Sequence, residues 1–393
     1  MRKILTALGL CLALVTVAFG ANLPLFSSPS TNEPSQINAT LNQLIQSINS
    51  LISPATMQVY PNVLDNGAMQ VQQRGTGIRT CGDNTAPTMT AYSADRWVCD
   101  ANVAVGAGRT QVITATPSPP AGFAASLKVY RTSGALTQPV CAMQEVTTAN
   151  SIGLQGQTVA FSFYAQALAG LAADNGNVIN ATIITGTGTN EGFGTLTASP
   201  AITPAWTGLA TVATQSFTIT TGWVRYSLTT TLPATETEIG VLLCFTPTAT
   251  GAGVTDGFAF VGAQLEQGAA PSNYQFKSIV QEMLVAQHFY FRFSEVNGAP
   301  LNGYCQAITA NTNTCTLALP VPMRAAPTIT ITTAGTFKVN IAGTLTTIAT
   351  PTAGACAPTA CLVTAANTNT AGQVEQLTGA VGATGVWEVS IDF

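Results

Sequence analysis

Short alternating segments, separated by Gly, Asn, Thr and Pro, make up the chain from Val59 to about Phe276. The runs Val159–Ala165, Val224–Thr230 and Ile239–Phe245 have the composition typical of β-strands. Turn residues recur roughly every ten to fifteen positions, and few segments have a helical period. This pattern predicts a mainly β protein built on a two-sheet antiparallel sandwich.

The first twenty residues have the features of an export signal. Arg2 and Lys3 precede an apolar run from Ile4 to Val17, and Ala18-Phe19-Gly20 places small residues at the cleavage-site spacing. We expect cleavage before Ala21, with an uncleaved N-terminal anchor as the alternative. No later segment has the roughly 18 uninterrupted apolar residues that a membrane-spanning helix needs. The sequence therefore predicts an exported protein with no membrane span after the signal is removed.

Residues 21–56 are expected to form a linker followed by one short helix. The linker, Ala21–Asn32, is rich in Pro, Ser and Asn, and Pro54 ends the helix. Apolar residues follow one another at steps of four and three at Ile37, Leu41, Leu44, Ile48 and Leu51. This spacing is that of a coiled-coil seam, and it equally fits a single amphipathic helix packing on its own domain.

One of the nine cysteines, Cys11, lies in the signal and would leave with it. The other eight are Cys81, Cys99, Cys141, Cys244, Cys305, Cys315, Cys356 and Cys361. An even number after export is what disulfide pairing in an oxidising compartment produces. The sequence leaves the connectivity open. Pairing Cys81 with Cys99, Cys305 with Cys315 and Cys356 with Cys361 would close short loops and leave Cys141 and Cys244 within one domain.

The stretch Gly257–Phe293 joins a predicted strand to a predicted helix in an unusual way. Its characteristic residues are Gln264, Leu265, Glu266, Gly268, Pro271, Tyr274, Phe276, Lys277, Glu282, Phe289 and Tyr290. This pattern resembles a junction in bacteriophage tail-fibre and related virion proteins. In those proteins a sugar-binding-type jelly roll closes with such a strand and is followed by a short helix.

Further motifs, in the expected order, resemble the jelly roll of carbohydrate-binding modules: Asn62–Gly67, Tyr92–Trp97, Met143–Val146, Gly156–Tyr164 and Gly222–Thr229. The resemblance implies a jelly roll over residues 57–276, a connecting helix over 277–295 and a smaller C-terminal β domain over 296–393. In that last domain, Leu317–Ile331 resembles a strand pair of phage fibre tips, and Val386–Phe393 alternates like a final strand.

Charged residues and metal ligands are scarce. Only 8% of the residues are Asp, Glu, Lys or Arg, and the net charge is −4, which argues against a nucleic-acid partner. A zinc site is not expected, because the chain has one histidine and no C-x-x-C. Gly67-Ala68-Met69 departs from the sugar-binding pattern, where an acidic or aromatic residue is usual, so we also expect no structural calcium at Asp256. No cofactor is predicted.

We predict no catalytic residue. His288 is the only histidine and is interpreted as a packed or interface side chain. Glu236 and Glu238 would share one face of a strand and could act as paired carboxylates, as in glycosidases. The preferred interpretation is that both are solvated charges on a turn after Pro233.

Sugar binding is the use that best suits the predicted sandwich, because an aromatic ring can stack on the C–H face of a pyranose. Trp206, flanked by Pro204 and Gly208, is the best candidate for an exposed ring. Tyr164 and Tyr226 could line a concave sheet face, and Trp223 is a fourth candidate. For these last three, burial in the core is the preferred interpretation.

We therefore expect a non-enzymatic structural and adhesive protein similar to phage tail fibres. It would work as a homotrimer, with surface glycans or other fibre proteins as partners, at a virion surface or outside the cell. The alternative is a secreted bacterial carbohydrate-binding protein of prophage ancestry, which the export signal favours. A secreted glycan hydrolase is a third interpretation.

Overall fold

The computed structural model describes residues 62–82, 92–101, 108–132, 138–193, 196–197, 203–248, 256–294, 300–309, 312–331, 337–341, 344–347, 349–366, 374–379 and 386–390. All of them belong to the compact unit Asn62–Phe393. The export signal and the linker and helix expected over residues 21–56 lie outside this set.

Thirteen strands form the larger part of this unit, and they confirm the predicted antiparallel sandwich. They are β1 Arg79–Thr80, β2 Val98–Ala101, β3 Gly108–Ile113, β4 Ser126–Arg131, β5 Val140–Val146, β6 Thr158–Ala167, β7 Val178–Gly186, β8 Leu196–Thr197, β9 Thr203–Pro204, β10 Ala210–Thr218, β11 Val224–Thr231, β12 Glu238–Phe245 and β13 Gly257–Gln267. The first sheet has the order β1-β3-β4-β13-β6-β11, and the second has the order β10-β7-β12-β5-β2. Two short helices, α1 Thr148–Ser151 and α2 Leu171–Asn175, and a 3-10 turn, Ile152–Leu154, connect the strands.

The core lies between the two sheets, as strand alternation requires. In the first sheet, Val159, Phe161 and Phe163 of β6 point inward, and in the second sheet Val241 and Leu243 of β12 meet them in one cluster. The residues between them on each strand face outward, because successive strand side chains alternate. Each sheet therefore also has an outer face. A ligand can reach that face only where no loop or side chain packs over it.

The rest of the unit contains a third helix and ten strands. They are α3 Ile279–Gln287, β14 Tyr290–Ser294, β15 Pro300–Thr309, β16 Thr312–Ala318, β17 Thr328–Ile331, β18 Phe337–Ile341, β19 Thr344–Thr347, β20 Ala349–Ala357, β21 Ala360–Ala366, β22 Val374–Gly379 and β23 Val386–Ser390. A three-stranded sheet, β14-β23-β17, and a seven-stranded sheet, β19-β18-β22-β15-β16-β21-β20, share a second apolar cluster that includes Phe293, Leu317 and Val363.

Four disulfides are present. Cys81–Cys99, Cys305–Cys315 and Cys356–Cys361 close short loops, and the fourth bond joins Cys141 to Cys244. Three of them link residues that face each other directly across neighbouring antiparallel strands: Cys141 with Cys244, Cys305 with Cys315, and Cys356 with Cys361. Strand register therefore places these sulfur atoms within bonding distance.

Helix α3 is fixed to the sandwich by polar contacts at its first turn and at the residues just before it. Ser278 and Gln281 form a reciprocal capping box at its start. The Glu282 carboxylate accepts a hydrogen bond from the Asn66 backbone N–H at 2.7 Å, and the Lys277 ammonium donates to the Leu64 carbonyl at 2.8 Å. None of the helices in the described ranges is long and apolar enough to cross a membrane.

Candidate functional site

Trp206 is buried, so its predicted exposure is wrong. Its side chain is 5% exposed, its indole N–H donates to the Gly192 carbonyl at 2.9 Å, and its ring packs on Phe193 with centroids 5.5 Å apart. The ring lies on the outer face of the second sheet, where Gly240 leaves room for it: a Cβ at Gly240 would come within 2.9 Å of the indole. A stacked sugar cannot reach this ring.

Tyr164 and Tyr226 lie on opposite faces of the first sheet, so they do not line one concave face, which was one of the two possibilities considered for them. Tyr226 pairs with the inward-facing Phe163 and contacts Phe217, with centroids 5.3 Å apart. Tyr164 pairs with Arg225 and faces outward. In the β6–β11 register, Tyr164 lies opposite Arg225, the neighbour of Tyr226 in β11. Because successive side chains of a strand point to opposite faces, the two tyrosines are on different faces.

Tyr164 belongs to a group of four rings, Phe123, Tyr164, Tyr274 and Phe276, that we call the aromatic patch. The Phe123 centroid lies 5.7 Å from Tyr164, 5.1 Å from Tyr274 and 5.1 Å from Phe276. Gly262 has a left-handed φ of 66°, and a Cβ there would lie 2.8 Å from the Phe123 ring. Since a side chain at residue 262 would collide with the patch, glycine is needed for these rings to meet over the sheet.

Polar side chains border the aromatic patch on the outer face of β6 and β11. The Arg225 guanidinium donates to the Ser162 hydroxyl at 2.9 Å and lies 5.9 Å from the Tyr164 ring centroid. Trp223, just before β11, is partly exposed, and its indole N–H donates to the Ser118 carbonyl at 2.6 Å. Phe276 is 53% exposed and Trp223 is partly exposed, so both rings reach solvent, and the Arg225 guanidinium lies beside the Tyr164 ring.

Glu236 and Glu238 are buried rather than solvated, so the preferred interpretation of them as rim charges is wrong. Burial raises the pKa of each carboxyl to about 7. For Glu238, the negative charges of Glu145 and Glu191 push the pKa in the same direction, although its carboxylate accepts a hydrogen bond from the Glu191 backbone N–H. Among the described residues, neither carboxyl oxygen of Glu236 has a hydrogen-bond partner.

A charged cluster that the sequence did not reveal lies on the same outer face of the second sheet. Glu145 of β5 is buried, and its pKa is raised by burial, against the opposing effect of Arg96 and Arg324. Arg324 lies 4.0 Å from Glu145, and burial lowers the pKa of its guanidinium to about 10. Arg96 stacks on the Phe289 ring at 3.5 Å. Arg96, Glu145 and Arg324 fall within the motifs Tyr92–Trp97, Met143–Val146 and Leu317–Ile331, but nothing in the sequence indicated that the three side chains meet.

The remaining candidates have structural partners. His288 ends α3, and its Nδ1 lies 2.6 Å from the Pro322 carbonyl, which fits the predicted packed histidine. Asp256, considered for calcium, forms an ion pair with the fully buried Arg131 at 2.9 Å, and Arg131 also contacts Asp174 at 3.1 Å. The Asp256 carboxylate is therefore neutralised by an arginine.

No family model matches this chain, and no curated protein matches it. Solved structures with a slight likeness include a CBM4 carbohydrate-binding module, at 14% identity and TM-score 0.25 over 41% of this chain and 87% of that one. A CBM22-1 xylan-binding domain from Paenibacillus barcinonensis has 12% identity and TM-score 0.26 over 51% and 99%. An enzymatically active domain of tailspike protein 4 from bacteriophage CBA120 has 10% identity and TM-score 0.30, and the chain covers 53% of its own length and 21% of that domain. These values are too low to carry an argument about function.

Proposed function

We propose that this chain is a non-enzymatic structural and adhesive protein that binds a surface glycan on the outer face of its first sheet. The observation that carries the proposal is the partly exposed aromatic patch bordered by Arg225 and Trp223. Rings can stack on the C–H faces of sugars, while the guanidinium donates hydrogen bonds to sugar hydroxyls. The candidate ring surface thus moves from Trp206 to Phe276, Tyr164 and Trp223.

Two settings suit this activity. In the first, the chain is a homotrimeric component similar to phage tail fibres, which the motifs of the Gly257–Phe293 junction support. In the second, it is a secreted bacterial carbohydrate-binding protein. Four disulfides and the expected export signal support an oxidising, extracellular setting for either one.

The burial of Glu236 and Glu238 supports a binding role over hydrolysis. The two side chains are 1% and 0% exposed. A glycosidase needs two carboxyl groups that flank the scissile bond of a bound sugar. In the described fold these two are covered, Glu238 by the loop that carries Glu191.

The test is glycan-array and cell binding by the full chain with Trp223→Ala or Arg225→Gln. Tyr304→Ala is the matched control, because Tyr304 is an exposed ring on the seven-stranded sheet, away from the patch. We expect Trp223→Ala to weaken binding by about tenfold or more, since stacking surface is lost, and Tyr304→Ala to leave it unchanged. Retained glycan binding in both Trp223→Ala and Arg225→Gln, with unchanged circular dichroism, would contradict the proposed site.

A further inference from the structure

Helix α3 exposes apolar side chains and buries a charged one, the reverse of an ordinary surface helix. Ile279, Val280 and Leu284 are 47%, 63% and 45% exposed. Val280 and Leu284 are four residues apart, so in a helix they lie along one face, and Ile279 lies beside Val280. We call these three residues the α3 face. Glu282 and Ala286, on the other side, are buried.

The orientation of the helix is fixed by its polar contacts, so the α3 face cannot turn inward. The Glu282 carboxylate accepts a hydrogen bond from the Asn66 backbone N–H, and the Lys277 ammonium lies 3.7 Å from the Asp65 carboxylate. Rotation about the helix axis would break the Glu282 contact and bring a carboxyl whose pKa is raised by burial into a new environment. The exposure of the α3 face is therefore a feature of the folded unit.

The chemistry of the α3 face indicates an apolar partner. The only charged residues of the segment 276–287 are Lys277 and Glu282, and both bond toward the sandwich. Ile279, Val280 and Leu284 are aliphatic and offer no ring to stack on a sugar, in contrast to the patch around Tyr164. Contiguous exposed apolar groups of this kind mark sites of protein association.

We propose that the α3 face is an interface between copies of this chain. This proposal rests on the homotrimer included in the proposed function. A face without charge can pack against its own image about a rotation axis, and the four-residue spacing forms ridges that suit helix packing.

The point of chain entry supports a second copy as the occupant. The Asn62 backbone N–H donates to the Gln275 side chain at 3.3 Å, so the chain enters the described unit beside the start of α3. Ten residues lie between Leu51, the last residue of the predicted coiled-coil spacing, and Asn62. Copies joined by that seam would hold their α3 helices at high local concentration, which favours a contact between them.

The test is the mass of the full chain by sedimentation velocity, with Val280→Glu plus Leu284→Glu against Ile78→Glu. Ile78 is 58% exposed and lies outside α3, so it is the matched control. We expect an oligomer for the wild type and the control, and dissociation of the double variant or at least about tenfold weaker assembly. A monomeric wild type, or a double variant that assembles as the wild type does, would overturn the proposal. So would a wild type whose α3 face binds lipid vesicles or a different protein instead.

A cysteine variant covers the case in which the double variant misfolds. Val280→Cys should form a cross-linked dimer on a non-reducing gel under mild oxidation, and Ile78→Cys should not. Equal cross-linking of both would also refute the interface. Binding of a monovalent glycan separates the two proposals, because loss of assembly leaves this binding intact, whereas Trp223→Ala weakens it without changing the mass of the assembly.

Discussion

The outer faces of the two sheets differ in what covers them. On the second sheet, Trp206 and Phe193 lie over β7 and β12, and Arg324 is held against Glu145. On the first sheet, Phe276 and Trp223 keep ring surface in contact with solvent. Aromatic side chains are therefore packed under other residues on the outer face of the second sheet and remain exposed on that of the first. An aromatic residue in a loop indicates a binding site only once the residues packed over it are known.

The outer face of the second sheet, which we call the covered face, also carries the disulfide that closes the longest loop. Cys141 and Cys244 are 103 residues apart, and Cys305 and Cys315 are 10 apart. We expect replacement of Cys141 and Cys244 by Ser to lower the free energy of unfolding by about 5 kcal/mol, because the unfolded chain gains loop entropy. Replacement of Cys305 and Cys315 should cost about 3 kcal/mol. Urea unfolding of both variants measures the difference, and equal losses would refute the dependence on loop length.

Truncation of one tryptophan on each face tests the comparison directly. Trp206→Ala should lower the free energy of unfolding by about 3 to 4 kcal/mol, since it empties a packed volume. Trp223→Ala, on the partly exposed face, should cost about 1 kcal/mol or less. Urea midpoints at a common slope report both values. If the two substitutions cost the same, the faces are not covered differently.

The strands of the sandwich were predictable because alternation is a local property. Val159–Ala165, Val224–Thr230 and Ile239–Phe245 lie within β6, β11 and β12. An even cysteine count and short loops indicated the pairs that the strand register then brings together. Neither inference needs to know which residues distant in sequence become neighbours.

The candidate site was less predictable because it depends on such neighbours. Trp206 is covered since Gly240, 34 positions later, makes room for its ring. Glu238 is buried since Glu191, 47 positions earlier, folds over it. The separation of Tyr164 from Tyr226 follows from the β6–β11 register, which the sequence does not specify. Local composition carries none of these three facts.

The buried carboxyls make the covered face sensitive to pH. The pKa of Glu238 is about 7 in the folded chain, against a usual value of 4.5. Between these values the folded state holds more protons than the unfolded state, so the free energy of unfolding falls as the pH rises. The stabilising contribution is fully present below about pH 4.5 and is lost as the pH passes about 7. We expect the loss to be about 1 to 3 kcal/mol for each carboxyl.

Glu238→Gln keeps the size of the side chain and removes its charge, so it should raise the free energy of unfolding at about pH 8 and leave it nearly unchanged at about pH 4.5. Glu236→Gln should behave alike, because burial raises its pKa to about 7 as well. The double variant should flatten the slope between these pH values, as measured by urea unfolding. An unchanged slope in the double variant would mean that both carboxyls reach solvent, and the outer face of the second sheet would then be as open as that of the first.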